Sequence, residues 1–269
     1  MREPSSAYSL LEANRFKSHE LTRGPWDPNH QHAGPPSALV CRAVERAASV
    51  HGLTHLSRLT TNLLRPVPID DLEVKLQEDY VGKNAGHFSG ELLARGKVVL
   101  RFTALAQREN SVDLPAGLPG HPWPSAQRSP EMSELTQMPF AKDGHRGYSD
   151  LIENRAARGT IFQGPCAIWF RLQHPLVEGE EPSPFQRTAV AADSGNGISA
   201  ILDFRAYSFI NSDLTINWLR RPQGEWVCLD AQTWIGDNGC ALAESALYDA
   251  IGLIGRATQS LSIRNRASI

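Results

Sequence analysis

Apolar and polar positions along the chain follow two rhythms. Between Ala38 and Ala48, apolar residues fall at 39, 40, 43, 44, 47 and 48, the spacing of one helix face. Pro35, Pro36 and Ser37 stand just before and suit a helix start. The runs 55–65, 71–81, 87–95 and 97–107 read as strands, with turns at 82–86 and 95–97. The pattern returns further on. A shorter helix is predicted at 185–192, with strands at 164–173, 206–221, 225–235, 239–248 and 254–264. Turns fall at 222–224, 237–239 and 250–252, and the run Asp237, Asn238, Gly239 is a hairpin signal.

The recurrence extends to the residues themselves. Leu59 to Arg65 and Leu214 to Arg220 are identical at five of seven positions, at an offset of 155. Each copy follows an Ala-rich apolar stretch and precedes three strand-like runs. Each half therefore reads as early strands, one long helix and a four-strand antiparallel meander. A helix on one curved antiparallel sheet is an α+β arrangement. Between the halves, residues 115–139 hold six of the 18 prolines: Pro115, Pro119, Pro122, Pro124, Pro130 and Pro139. Proline feeds neither a sheet ladder nor a helix interior, so this stretch is expected to be irregular. The chain divides into a repeat at 1–110, a linker at 111–147 and a second repeat at 148–269. A lone half of this size buries little core, so the two should share a sheet.

Composition narrows the classes. Of 269 residues, 41% are hydrophobic and 21% charged, and the formal net charge is −2, which suits a soluble globular protein. No apolar run is long enough to span a bilayer. The start of the chain lacks a signal-peptide core, so a cytoplasmic location and no membrane partner are expected. With no basic block, nucleic acid is not expected as a partner. Cys41, Cys166, Cys228 and Cys240 contain no C-x-x-C pair and read as reduced and buried, not as a zinc site.

Strand alternation sorts the polar residues. In 211–221 the even positions Ser212, Leu214, Ile216 and Trp218 are the more apolar set and should face the helix, with Ser212 at the edge. In 256–264 the odd positions Ala257, Gln259, Leu261 and Ile263 face inward, so Gln259 is a lone amide that needs a polar partner. Asp193 ends the 185–192 apolar stretch. A carboxylate at a helix C-terminus is electrostatically disfavoured, so it is a turn residue or is placed there for chemistry. Either way it lies near the face that holds Ser212 and Gln259.

These residues resemble those of the double-hotdog acyl-CoA thioesterases of the thioesterase II type. The likeness covers nearly the whole chain. It rests on Ala191 to Ser194, Phe209 to Pro222, Gly224 to Ala231 and Gly255 to Leu261, and in the first half on Trp26 to Pro36 and Asn62 to Pro68. The resemblance implies two tandem hotdog repeats, each a long helix on an antiparallel sheet, with the sheets joined side by side. It implies hydrolysis of acyl-CoA by an Asp, a hydroxyl residue and a Gln, which fall on Asp193, Ser212 and Gln259. Asp193 would act as general base, with Gln259 and Ser212 holding the water in line. Backbone N–H groups near a helix start would stabilise the oxyanion. No covalent intermediate is implied, and no Gly-x-Ser-x-Gly elbow is present. No cofactor or metal is implied, and association into a homo-oligomer stays open. At the 155 offset Asp193, Ser212 and Gln259 map onto Ala38, Ser57 and Ala104, so one half is expected to be active and the other supporting.

Two other readings compete. Asp27, Asn29 and His32 match the Asp-x-Asn-x-x-His signature of hotdog enoyl-CoA hydratases. The same loop also reads as a solvated or capping segment, or as a substrate-binding wall made of Trp26, His32 and Gly34. The chain could also bind acyl-CoA without cleaving it. The segment 109–147 is placed to cover the site.

Overall fold

The computed structural model describes residues 5–118, 127–137 and 146–266. In chain order the elements are β1 (Tyr8–Glu12), β2 (Arg15–Ser18), α1 (Gly34–Val50), β3 (His55–Leu63), β4 (Asp71–Val81), β5 (Ala85–Ala94) and β6 (Lys97–Gln107). There follow β7 (Glu134–Thr136), α2 (Tyr148–Leu151), β8 (Ile152–Arg158), β9 (Cys166–Leu172), α3 (Pro184–Ala192) and α4 (Gly195–Ser199). The chain finishes with β10 (Tyr207–Asn211), β11 (Asp213–Trp218), β12 (Trp226–Ile235), β13 (Cys240–Tyr248) and β14 (Leu253–Asn265). All strands join one sheet in the order β1-β2-β4-β5-β6-β3-β11-β14-β13-β12-β9-β8-β7, with β10 also on β14.

This is the α+β double hotdog, and the sheet order corrects the expected four-strand meander. β4, β5 and β6 run as a three-strand meander, but β3 lies beside β6 instead of β4. Likewise β11 lies beside β14, at the far end of the β12–β13–β14 meander. Each displaced strand leaves one edge free, and the two free edges pair with each other. Those strands carry the repeated heptapeptide. In the β3–β11 register Thr60 faces Thr215, Leu59 faces Ile216 and Thr61 faces Leu214. Residues 155 apart thus meet at one point, with the Thr60 and Thr215 hydroxyls 3.1 Å apart. A pseudo-two-fold axis passes between them and relates one half to the other.

Local chemistry explains the ends of the elements. α1 starts with Gly34, Pro35 and Pro36, where missing proline N–H groups cost nothing. It stops at Gly52, whose φ of +69° is the left-handed conformation that closes helices. The β5–β6 turn puts both Arg95 and Gly96 at positive φ, the twist that a two-residue hairpin needs. Asp237 to Gly239 closes the β12–β13 hairpin as expected, with Gly239 at φ +78°. Within the proline-rich stretch, Glu134–Thr136 forms a strand on β8, so its described part is not wholly irregular. Pro119, Pro122, Pro124 and Pro139 lie outside the described residues.

Both long helices lie over the sheet, α1 over β3 to β6 and α3 over β9, β11 and β12, and they touch each other. Leu39, Val40 and Val44 of α1 join Leu59, Leu72, Phe88, Leu92 and Phe102 in the core. Each such side chain stabilises the fold by about 1.5–3 kcal/mol. Arg42 of α1 donates two hydrogen bonds to Glu180 in the other half. Cys41, Cys166 and Cys228 are buried free thiols as expected, and burial pushes Cys166 up to about 12. Cys240 is instead exposed, because it opens β13 directly after the hairpin turn. Among the described residues no helix is long and apolar enough to cross a membrane.

The helix pair generates two predictions. A Cβ at Gly34 would stand 2.3 Å from the Val190 carbonyl oxygen of α3. Gly34→Ala should cost about 1–3 kcal/mol, measured as a lower denaturant midpoint at constant m. Glu45 of α1 accepts hydrogen bonds from Ser183 and Gln186 at the start of α3, yet burial raises its pKa. A raised carboxyl is least costly when protonated, so stability should fall as pH rises through its folded-state pKa. Glu45→Gln should flatten that fall in a series of thermal melts from pH 4 to pH 8.

Candidate active site

Asp193 closes α3 in helical conformation, and α4 restarts two residues later. The residue is 8% exposed. It sits at the unfavourable end of α3, but α1 begins beside it and offers the opposite pole of a helix dipole. Two amide donors and an imidazole converge on it. Asn211 Nδ2 donates to Oδ1 at 2.8 Å and Gln259 Nε2 donates to the same oxygen at 3.2 Å. His32 Nδ1 lies 3.1 Å from Oδ2.

Gln259 faces inward on β14, as alternation predicts, and is 2% exposed. Its polar partners are now identified. Nε2 also donates to the Asp193 carbonyl at 3.0 Å, while Oε1 accepts the Asn196 N–H at 2.9 Å. Both ends of the amide are engaged, which ties β14 to the α3–α4 junction.

Ser212 is not where alternation puts it. The register between β10 and β14 pairs Asn211 with Leu261, whereas β11 pairs Thr215 with Thr258. The index sum rises by one between the two strands, which marks an inserted residue at Ser212. Such a bulge reverses which side chains face inward. Leu214, Ile216 and Trp218 stay buried, Asn211 turns toward Asp193, and Ser212 is exposed. The Ser212 hydroxyl makes no hydrogen bond among the described residues, but the residue lines the same cavity. Asp213 points outward as expected and accepts the Ser260 N–H.

The cavity measures about 750 Å³ and has walls from both halves. Asp193, Ser212 and Gln259 line it together with Trp26 and His32. Leu64, Val67 and Phe209 supply apolar wall. Trp26 is half exposed and meets the Phe209 ring edge-on at 5.8 Å. Gly34 does not line the cavity; it is buried against α3, and its N–H is 3.1 Å from His32 Nδ1. The His32 ring stacks on Tyr148 at 3.8 Å and 2°. Tyr148 in turn bonds the Val190 carbonyl and the Ser194 hydroxyl. Burial holds the His32 imidazole below its usual range, with Asp193 pulling the other way, and burial pushes the Tyr148 phenol well up.

Two contacts escaped the sequence reading. Asn211 was hidden by the bulge, which no local signal announces. His32 was recognised as a wall residue, but its pairing with Asp193 spans 161 positions. The hydratase-like signature does not assemble as a unit. Asp27 pairs with His30 at 3.3 Å and caps the Asn29 N–H, while His32 turns to Asp193. The 155 offset also misses a carboxylate in the first half. Glu45 meets the start of α3 much as Asp193 meets the start of α1. Among the described residues no group of three His, Cys, Asp or Glu is arranged to hold a metal.

The chain is similar to known proteins in fold and in family. The chain is similar in fold to a structure from Thermobifida fusca provisionally assigned as a thioesterase II, with 13% identity, coverage of 97% of this chain and 96% of that one, and a TM-score of 0.72. An acyl-CoA thioesterase II from Mycobacterium marinum gives 14% identity, 97% coverage of both chains and a TM-score of 0.65. A hot dog fold protein of unknown function from Alicyclobacillus acidocaldarius gives 15% identity, 97% and 96% coverage, and 0.67. At such identities these likenesses speak to fold alone. No curated protein matches the sequence. Two family models do match: an acyl-CoA thioesterase N-terminal domain over residues 22–107, and an acyl-CoA thioesterase C-terminal domain over residues 119–263. With both of its halves so matched, the chain belongs to the acyl-CoA thioesterase family and is an enzyme of the thioester-hydrolysing kind.

Proposed function

We propose that the protein hydrolyses acyl-CoA thioesters to free acid and CoA by direct attack of water. The supporting observation is the buried Asp193 carboxylate, fixed by Gln259 and Asn211 in a cavity walled by both halves. Asp193 supplies the negative charge that makes proton removal from water favourable in a site of low dielectric. Gln259 and Asn211 hold that charge in place. Ser212, with an unengaged hydroxyl on the cavity wall, orients the water or the thioester. The start of α1 brings a helix N-terminus to the cavity, where N-cap Ala33 is a wall residue, so developing oxyanion charge is favoured there.

The acyl chain lies along Trp26, Leu64, Val67 and Phe209. Exposed Arg65 lines the same cavity and gives local positive charge for an anionic CoA, although the chain is near neutral overall. In this reading residues 1–110 form the supporting repeat, and 148–269 carry Asp193, Ser212 and Gln259. Residues 111–147 connect them.

Thiol release from a panel of acyl-CoAs, followed with a thiol reagent, tests the proposal. Wild type should release thiol. Asp193→Asn should lower kcat by about 10²–10⁴-fold while keeping the wild-type melting profile. Gln259→Ala and Ser212→Ala should each cost about tenfold, the value of one hydrogen bond of about 1.4 kcal/mol. Arg65→Ala should raise KM about fivefold, an effect that shrinks with added salt. Tight acyl-CoA binding without thiol release from any substrate would point to a binding protein, and loss of enoyl absorbance on crotonyl-CoA to a hydratase.

A further inference from the structure

Thioester hydrolysis needs a donor for the charge that develops on the carbonyl oxygen, and the His32 imidazole is placed to be one. Nδ1 accepts the Gly34 N–H at the start of α1, at 3.1 Å. The contact between Nδ1 and Asp193 Oδ2, also 3.1 Å, lacks the alignment of a hydrogen bond. An accepting Nδ1 carries a lone pair, so the proton of the neutral ring is on Nε2. A charged ring would set an Nδ1–H against the Gly34 N–H, and burial opposes that state as well, although Asp193 favours it. Among the described residues Nε2 has no hydrogen-bond partner, and it is not one of the unpaired polar atoms sealed in the interior. The ring lines the cavity. Stacking on Tyr148 at 3.8 Å and 2° fixes its plane, so the direction of the Nε2–H is set before a ligand arrives.

The other side-chain donors packed around Asp193 are already spent. Asn211 and Gln259 both donate to Asp193 Oδ1. The Tyr148 hydroxyl bonds the Val190 carbonyl and the Ser194 hydroxyl. Asp193 Oδ2 accepts no hydrogen bond among the described residues and is open to water. A free acceptor on the carboxylate and a free donor on the imidazole therefore stand side by side on one wall of the cavity.

We propose that the His32 Nε2–H donates a hydrogen bond to the thioester carbonyl oxygen and stabilises the oxyanion. The inference rests on the thioester-hydrolysis reading above and deepens it by naming the donor atom. A water O–H proton moves to Asp193 Oδ2 as the water oxygen bonds to the carbonyl carbon and the carbonyl electron pair moves onto oxygen. That oxygen accepts the Nε2–H bond throughout, and the ring proton stays on nitrogen. The carbonyl then re-forms, the C–S bond breaks, and Asp193 returns its proton to the departing sulfur. Acid and thiol leave. An imidazole kept neutral by a helix N-terminus polarises a carbonyl through its other N–H. Here the Gly34 N–H takes that part, so the start of α1 acts on the oxyanion through the ring. One repeat thus supplies the donor and the other supplies the base.

Ring-nitrogen NMR on the full chain at pH 7, with His32 assigned by the loss of its signals in His32→Phe, reads the tautomer independently of activity. The expected result is a neutral Nε2–H ring. An Nδ1–H ring, neutral or charged, overturns the proposal. In kinetics, His32→Phe keeps a ring to stack on Tyr148 and removes the donor. It should lower kcat by about 10²–10³-fold with little change in KM. His32→Gln returns an N–H and should be about tenfold faster than His32→Phe, the value of one hydrogen bond of about 1.4 kcal/mol. An unchanged kcat in His32→Phe, or a His32→Gln no faster than His32→Phe, overturns the proposal while leaving hydrolysis intact. If His32→Phe melts early, His32→Met, which keeps bulk without a donor, takes its place in the same comparison. No thiol release by wild type, even with the expected tautomer, overturns the hydrolysis reading and this proposal with it.

Discussion

A buried carboxylate is costly unless donors surround it, and the centre of this molecule is organised by meeting that requirement at Asp193. The side chain is 5% exposed, and its two oxygens draw contacts from β10, β14 and the loop before α1. No single half of the chain could supply them. Asn211 and Gln259 come from the second repeat, and His32 comes from the first. The close approach of α1 to α3, permitted by Gly34 against the Val190 carbonyl, brings the His32 ring within reach. Packing and chemistry are therefore one problem here. Any change that separates the helices also removes a neighbour from the carboxylate.

The duplicated architecture gives this arrangement two potential locations, one at each end of the helix pair. At one end Asp193 opens onto a cavity. At the other, Glu45 is held by Ser183 and Gln186 at the start of α3. The counterpart of Gln259 at the 155 offset is Ala104, a buried apolar residue on β6. The same backbone geometry thus supports a polar, open end and an end whose carboxylate is engaged by the helix start. A symmetric dimer of identical chains could not make that distinction, because a substitution would alter both ends together.

Much of the fold was legible because its signals are local. The helix spacing at 38–48, the four strands of the first half, and the hairpin at 237–239 depend on neighbours a few residues apart. Even the central seam was visible indirectly, since the repeated heptapeptide is the pair of strands that meet at Thr60 and Thr215. What escaped depends on pairing. The sheet order requires knowing that β3 seeks β11 in preference to β4. The inward face of 206–221 reverses at Ser212 because one extra residue is absorbed against β14, and alternation carried across it names the wrong side chain. Gln259 was read correctly because β14 has no such break between residues 256 and 263.

The placement of the seam has a consequence at the outer edges. Because the two halves join by their longest free strands in the middle, the continuous sheet ends in β1, of five residues, and β7, of three. Short terminal strands present few unpaired N–H and C=O groups to another sheet. β1 is further occupied, since Tyr8 bridges to Val177 and its N–H donates to the Leu176 carbonyl. The duplication has used one edge of each half internally, so among the described residues only short strands are left at the outer edges for a strand of a neighbouring molecule.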